Sequence, residues 1–310
     1  MVKIVRPANL FIIGITQIIF WFFLVQPVLL ANQVSPILNN FLFTLLMLMT
    51  LLVTAGGYVI NDMQDIYTDE INKPDKKVIG HQLSLKTARQ LYLLLNFLAL
   101  ACAIFIFYKT QSFNILALCG VCILILWMYS KYFKSTILMG NVVVSLLIGL
   151  VPFIFVIIES NAFGELYDEV PSVYLSVYSV ILSFTIFAFF ANLIREIIKD
   201  SEDLEGDQRA GILTLATALG LKKADLVSQV LTVVLFITTL IWLFFKEIYT
   251  SGIELTVFIL IVILPITYLF WKINRAERHK SKYIILSRQI KFIMIFGLVY
   301  LLVHLNMNYA

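Results

Sequence analysis

Asn61-Asp62-Met63-Gln64-Asp65-Ile66-Tyr67-Thr68-Asp69 places three carboxylates, three and four residues apart, where a long apolar run ends. At about 100° per helical residue, Asp62, Asp65 and Asp69 fall within an arc of roughly 60°. The spacing therefore predicts one acidic stripe over two helical turns. It returns 138 residues further on as Asp200, Asp203 and Asp207, again directly after an apolar run. The bland reading of either stripe is a solvated helix end. Solvated ends scatter charge around the helix, whereas these carboxylates share one face. A carboxylate cluster at a membrane edge is costly and points to function. Carboxylate oxygens are the ligands hard divalent cations take, so the two stripes are expected to make a metal site.

The neighbours of the stripes extend that chemistry. By the same angular count Asn192 and Glu196 lie on the face of Asp200 and Asp203, with Arg195 and Lys199 on one side. Glu202 and Glu205 point elsewhere and read as solvated. Gly206 is expected to end the helix, leaving Asp207 on a turn. Asn61 accompanies the first stripe, Lys131 and Lys134 close the fourth apolar run, and Lys73 precedes Pro74. Arg6 and Asn9 stand at the mouth of the first run. Arg6, Lys131 and Lys134 are at once membrane anchors by position and phosphate ligands by charge. Six ionised carboxylates repel a diphosphate of roughly −3 unless divalent cations intervene, and two Mg²⁺ supply about +4. Lys131, Arg195 and Lys199 add further positive charge. Such a set favours departure of a diphosphate, the difficult step in allylic ionisation.

What positions these residues is a membrane protein. The 310 residues are 61% hydrophobic and 14% charged, against about 25% charged in soluble domains. Apolar runs long enough to cross a bilayer recur, with about nine spans expected at 9–30, 40–60, 88–108, 113–130, 138–158, 173–195, 226–245, 253–271 and 289–306. The fold class is all-α and polytopic, and one integral-membrane domain over 1–310 is expected. With the N-terminus inside, 21 of the 23 Lys and Arg fall on the inner side, leaving Lys109 and Lys246 outside. That asymmetry sets the orientation: N-terminus and both stripes cytoplasmic, in a cell membrane crossed many times. The first run is too long for a cleaved signal segment and reads as a retained helix.

Other chemistries lack their residues. Cys119-x-x-Cys122 lies within an apolar span without polar neighbours and reads as packing. His81, His279 and His304 have no metal-ligand spacing, and the acidic stretch 159–171 has no basic partner and reads as solvated surface. The net charge of +4 follows topology and implies no nucleic-acid partner. The Asp-Gly-x-x-Ala-Arg signature of the alcohol phosphatidyltransferases is absent. A cation-coupled secondary transporter is the rival from another class, although transporter sites sit near the bilayer midplane on interrupted helices.

Asn61-Asp62-x-x-Asp65-x-x-x-Asp69 resembles the first aspartate-rich motif of the UbiA superfamily of intramembrane prenyltransferases, and Asp200-x-x-Asp203-x-x-x-Asp207 resembles the second. Arg6-Pro7-x-Asn9 and the segment 129–134 extend the likeness over most of the chain. The resemblance implies nine helices around a central cavity and Mg²⁺-assisted ionisation of a prenyl diphosphate, captured on an acceptor. It implies that the six aspartates bind two Mg²⁺ with help from Asn61, and that Lys131, Arg195 and Lys199 neutralise the diphosphate. Arg6, Asn9, Lys73, Lys134 and Asn192 are further substrate contacts. The run from Arg195 to Asp207, and Gly140-Asn141 after Lys134, are most similar to members that prenylate the hydroxyl of geranylgeranylglyceryl phosphate to form an ether lipid. Lys73, Lys76 and Lys77 stand where that group more often has arginine, which keeps charge without bidentate geometry. Aromatic acceptors, of the quinone, tocopherol or chlorophyll type, are the alternative.

Overall fold

The computed structural model describes residues 2–72, 78–80, 82–245, 252–275 and 278–308. Lys73 and His81 lie outside the described residues. Among those described, nine helices are long and apolar enough to cross a membrane. In chain order the helices are α1 (Pro7–Ala31), α2 (Asn40–Gln64), a short α3 (Ile66–Asn72), α4 (Leu85–Thr110), α5 (Phe113–Phe133) and α6 (Met139–Ile158). They continue as α7 (Ser160–Glu169), α8 (Pro171–Glu202), two short helices α9 (Leu204–Arg209) and α10 (Leu215–Leu219), then α11 (Leu221–Phe244), α12 (Gly252–Asn274) and α13 (Lys280–Met307). The chain is a multi-pass membrane protein.

Local chemistry fixes many of these ends. Asn39 caps α2 by accepting the Leu42 N–H at 2.9 Å, and Ser84 caps α4 by accepting the Thr87 N–H at 3.1 Å, each satisfying an otherwise unpaired first-turn donor. Thr214 and Thr217 form a reciprocal capping box at α10. Three spans contain a π-helical turn, at Trp21–Val25, Tyr129–Phe133 and Ile259–Ile263. Such turns insert one extra residue into the helical ladder.

The chain forms two compact units: Met1–Lys134 with Phe153–Tyr178, and Ser135–Pro152 with Ser179–Ala310. In the first unit Trp21, Phe43 and Phe155 stack, with ring centroids 5.4 Å apart for Trp21–Phe43 and 5.8 Å for Trp21–Phe155. Gly57 lets α5 approach α2; a Cβ there would lie 3.0 Å from the Leu126 methyls. In the second unit α8, α11, α12 and α13 share a core of Ile194, Ile198, Trp242, Phe258, Ile266 and Ile290. There Gly149 of α6 faces α8, where a Cβ would meet the Thr185 carbonyl oxygen at 3.1 Å and Phe189 Cβ at 3.3 Å.

Three expectations are corrected. The acidic stripes are not continuous helix. The first breaks at Asp65 (φ −89°, ψ 6°) and the second at Asp203 (φ −93°, ψ 8°). Both lie in the bridge region of backbone space, yet Asp65 N–H still bonds Asn61 O at 3.0 Å and Asp203 N–H bonds Lys199 O at 2.9 Å. Each break is thus a bend at the middle aspartate. Gly206 consequently does not terminate the helix: it and Asp207 sit within α9. Finally, the 159–171 stretch is solvated only in part: Glu165, Asp168 and Glu169 are exposed, but Glu159 is not. Residues 160–169 are helical, and Glu159 is fully buried, accepting the Ile37 N–H at 2.7 Å and the Leu38 N–H at 2.9 Å. Those two donors stabilise a buried carboxylate that the local sequence did not pair.

Candidate active site

In the first unit the first aspartate motif ends α2 and collects cations and an amide. Arg6 has a left-handed backbone (φ 51°, ψ 65°) immediately before Pro7, a strained conformation for a residue with a side chain. It aims the guanidinium back at α2, where Nη2 donates to Asp62 Oδ1 at 2.7 Å and the group lies 4.7 Å over the Tyr58 ring. Burial works against the Arg6 charge, but Asp62, Tyr58 and Asp65 together outweigh it and raise the guanidinium above its ordinary pKa. Asn9 donates to the Tyr58 hydroxyl at 3.1 Å. Tyr58, four residues before Asp62 and so on its face, was missed by motif reading; the i,i+4 spacing was its signal.

Asp65 is buried at the bend. Asn61 Nδ2 donates to its Oδ2 at 2.7 Å, and Lys134 forms an ion pair with its Oδ1. Lys131 takes a different course: it is exposed, with its ammonium 5.1 Å from the Trp127 and Tyr132 rings. The π turn explains the split. The Lys134 N–H reaches back five residues to Tyr129 O, at 3.0 Å, and the extra residue turns Lys134 toward α2. Of the two lysines, Lys134 is thus the one that meets the acidic motif. Asp69 is half-buried in α3.

In the second unit Asn141 of α6 donates to Asp200 Oδ2 at 2.8 Å. Asn192 donates to Ser145 Oγ at 3.2 Å, and that hydroxyl donates to the Asn141 backbone carbonyl at 2.6 Å. Arg195 Nη1 pairs with Glu196 at 2.5 Å, while its Nε is buried without a hydrogen-bond partner among the described residues. Lys199 lies in the electrostatic field of Asp200. Asp203 is half-buried at the bend and Asp207 is buried. Glu205 is exposed and pairs with Arg209 at 2.7 Å, the solvated role expected of it. Asn141 was noticed only as part of a resemblance and Ser145 was missed. Their signal was a polar and small-residue series, Asn141, Ser145 and Gly149, at i, i+4 and i+8 in an otherwise apolar helix.

The donors suit a hard cation. They are carboxylate oxygens, and Asn61 Oδ1 is buried without a hydrogen bond among the described residues. No three His, Cys, Asp or Glu side chains converge as a preformed metal cage among the described residues. Mg²⁺ does not need one, since it binds through one or two carboxylates plus waters and substrate phosphates.

The UbiA prenyltransferase family matches residues 19–294. The digeranylgeranylglyceryl phosphate synthase of Sulfurisphaera tokodaii is 30% identical over 241 residues, 77% of this chain and 80% of the relative. That of Sulfolobus acidocaldarius is 31% identical over 227 residues, 71% and 75% of the respective chains. Among solved structures, one of a digeranylgeranylglyceryl phosphate synthase covers 97% of this chain and 95% of its own, with a TM-score of 0.60 and 23% identity. A UbiA homologue from Archaeoglobus fulgidus, bound to DMAPP and Mg²⁺, covers 96% and 98% with a TM-score of 0.60 and 17% identity. Fold and motifs together define an intramembrane prenyltransferase. The chain belongs to the UbiA prenyltransferase family.

Proposed function

We propose that this enzyme transfers a geranylgeranyl group from its diphosphate to the free hydroxyl of geranylgeranylglyceryl phosphate, forming an ether lipid with Mg²⁺ as cofactor. The supporting observation is the pair of aspartate motifs in a chain about 30% identical to relatives named for that product. In the reaction the C1–O bond of the donor breaks and its electron pair leaves with diphosphate. The acceptor hydroxyl oxygen then bonds to C1 and releases its proton. Bound Mg²⁺, two ions in this reading, screens the leaving diphosphate from the carboxylates.

Asp62, Asp65, Asp69, Asp200, Asp203 and Asp207 are the proposed metal ligands, assisted by Asn61. Arg195, with a buried Nε available to an anion, contacts the donor diphosphate together with Lys199 and Lys131. Lys134 joins them in this reading because it already lies against the metal-binding motif. Arg6, Asn9 and Lys73 are further candidates for phosphate contacts, and Asn192 for contact with the substrate. Both motifs face the cytoplasm of a cell membrane, by the distribution of Lys and Arg.

The test is a membrane assay with labelled geranylgeranyl diphosphate and Mg²⁺, offering geranylgeranylglyceryl phosphate and aromatic acids in parallel. Ether lipid that disappears on chelation is the expected product. Prenylated aromatic acid would overturn the acceptor, and no product from any acceptor would overturn the reaction. Asp65→Ala and Asp203→Ala are each expected to abolish transfer while eluting as folded protein in detergent. Full turnover in both would remove the motifs from the site.

A further inference from the structure

Asp200 accepts one hydrogen bond among the described residues, from Asn141 Nδ2 onto Oδ2 at 2.8 Å. Asn141 lies in the first turn of α6, and what holds it is itself buried. Ser145, on the next turn of the same face, is completely buried and donates to the Asn141 carbonyl at 2.6 Å. Asn192, also buried, donates to that hydroxyl at 3.2 Å. Asn192 and Asp200 are eight residues apart on α8, close to two full turns and so on one face. The third member of the α6 stripe, Gly149, approaches the Thr185 carbonyl and Phe189. Two amide contacts and one glycine contact thus fix α6 against α8 through a run of about 12 Å along α6.

Polar groups buried in an apolar bundle are costly unless paired, and the bonds that link this set lead, among the described residues, to the Asp200 carboxylate. An amide donor on one oxygen fixes the rotation of the carboxylate plane and leaves the other oxygen for a cation. This is what outer-shell donors do for ligating carboxylates. The first motif uses the same device within a single helix, where Asn61 donates to Asp65 at 2.7 Å. In the second motif the donor is supplied by a different helix, so no local pattern around Asp200 contains it.

We propose that Asn141 is a positioning residue for Asp200, orienting its carboxylate toward the metal through one amide hydrogen bond, with Ser145 and Asn192 holding Asn141 in place. The proposal rests on the reading of Asp200 as a metal ligand. It also moves Asn192 from direct substrate contact to support of the ligand.

The experiment measures Mn²⁺ binding to the detergent-purified full chain by electron paramagnetic resonance, with a prenyl diphosphate analogue present. Wild type is compared with Asn141→Ala, Asn141→Ser and Ser145→Ala, each checked for a monodisperse elution profile. Removing an outer-shell partner typically weakens metal binding about 10–100-fold, and that loss is expected for both Asn141 variants. Either one suffices if the other does not fold. Ser145→Ala, which keeps the direct amide contact, is expected to lose about 2–5-fold, a fraction of that outer-shell effect. In an Asp200→Ala background, Asn141→Ala is expected to cause no further loss, because the two act as one unit. Wild-type affinity in the Asn141 variants, or equal losses with and without Asp200, would overturn the positioning role and leave the metal reading standing. Absence of Mn²⁺ binding by wild type would overturn both.

Discussion

At the residue scale, the two lysines that close α5 make different contacts. Lys134 pairs with Asp65 at the bend of the first motif, and Lys131 rests on Trp127 and Tyr132. Lys134→Met is therefore expected to lower kcat/KM on the order of 10–100-fold, the loss of one charge-assisted contact of about 1.5–3 kcal/mol. Lys131→Met, which removes an exposed, solvent-screened contact to the diphosphate, should cost less, about 2–5-fold, and initial rates at varied donor concentration separate the two. Glu159 makes a second prediction at this scale. Burial raises its pKa above the usual carboxylate value, and the Ile37 and Leu38 N–H groups only partly oppose that. A carboxyl whose folded pKa is raised adds stability below its unfolded pKa of about 4.5 and loses it as pH rises through the folded value. Wild-type thermal midpoints in detergent should thus fall over that window. Glu159→Ala should show a flatter profile and a loss of about 1–3 kcal/mol from the two unpaired N–H groups.

At the element scale, the shared feature is a bend at the middle aspartate of each motif with the helical hydrogen-bond ladder kept. The α6 and α8 pairing is equally specific. Gly149→Leu would drive a side chain into the Thr185 carbonyl and Phe189. Overpacking of that kind costs about 1–3 kcal/mol, to be read as a lowered thermal midpoint. The helices themselves were legible in composition, because apolar runs of membrane length have few alternatives. The two motifs were legible because their spacing repeats in register. The bends were not, since Asp65 and Asp203 carry no Gly or Pro to announce them. The partners Asn141 for Asp200, Lys134 for Asp65 and the loop N–H groups for Glu159 come from other elements. Helical angular counting ranks neighbours only within one helix, and it assumed no π turn.

At the scale of the whole molecule, 21 of the 23 Lys and Arg group on one side when the nine spans are laid out with the N-terminus inside. The positive-inside rule then gives the expected topology. After the native Cys102, Cys119 and Cys122 are replaced by alanine, a cysteine at Lys109 should react with an impermeant maleimide on intact cells. A cysteine at Lys272 should react only after permeabilisation, and the opposite pattern would invert the orientation. The π turn at Tyr129–Phe133 bears on how such a chain changes over time. Its extra residue makes the lysine that meets Asp65 a matter of chain length as much as of residue identity. Deleting Tyr132 would restore an ordinary helix and rotate the residues beyond it by about 100°, silencing transfer with every charged residue still present. Returning any single residue at that point should restore it, a dependence on insertion and deletion that scanning one substitution at a time never samples.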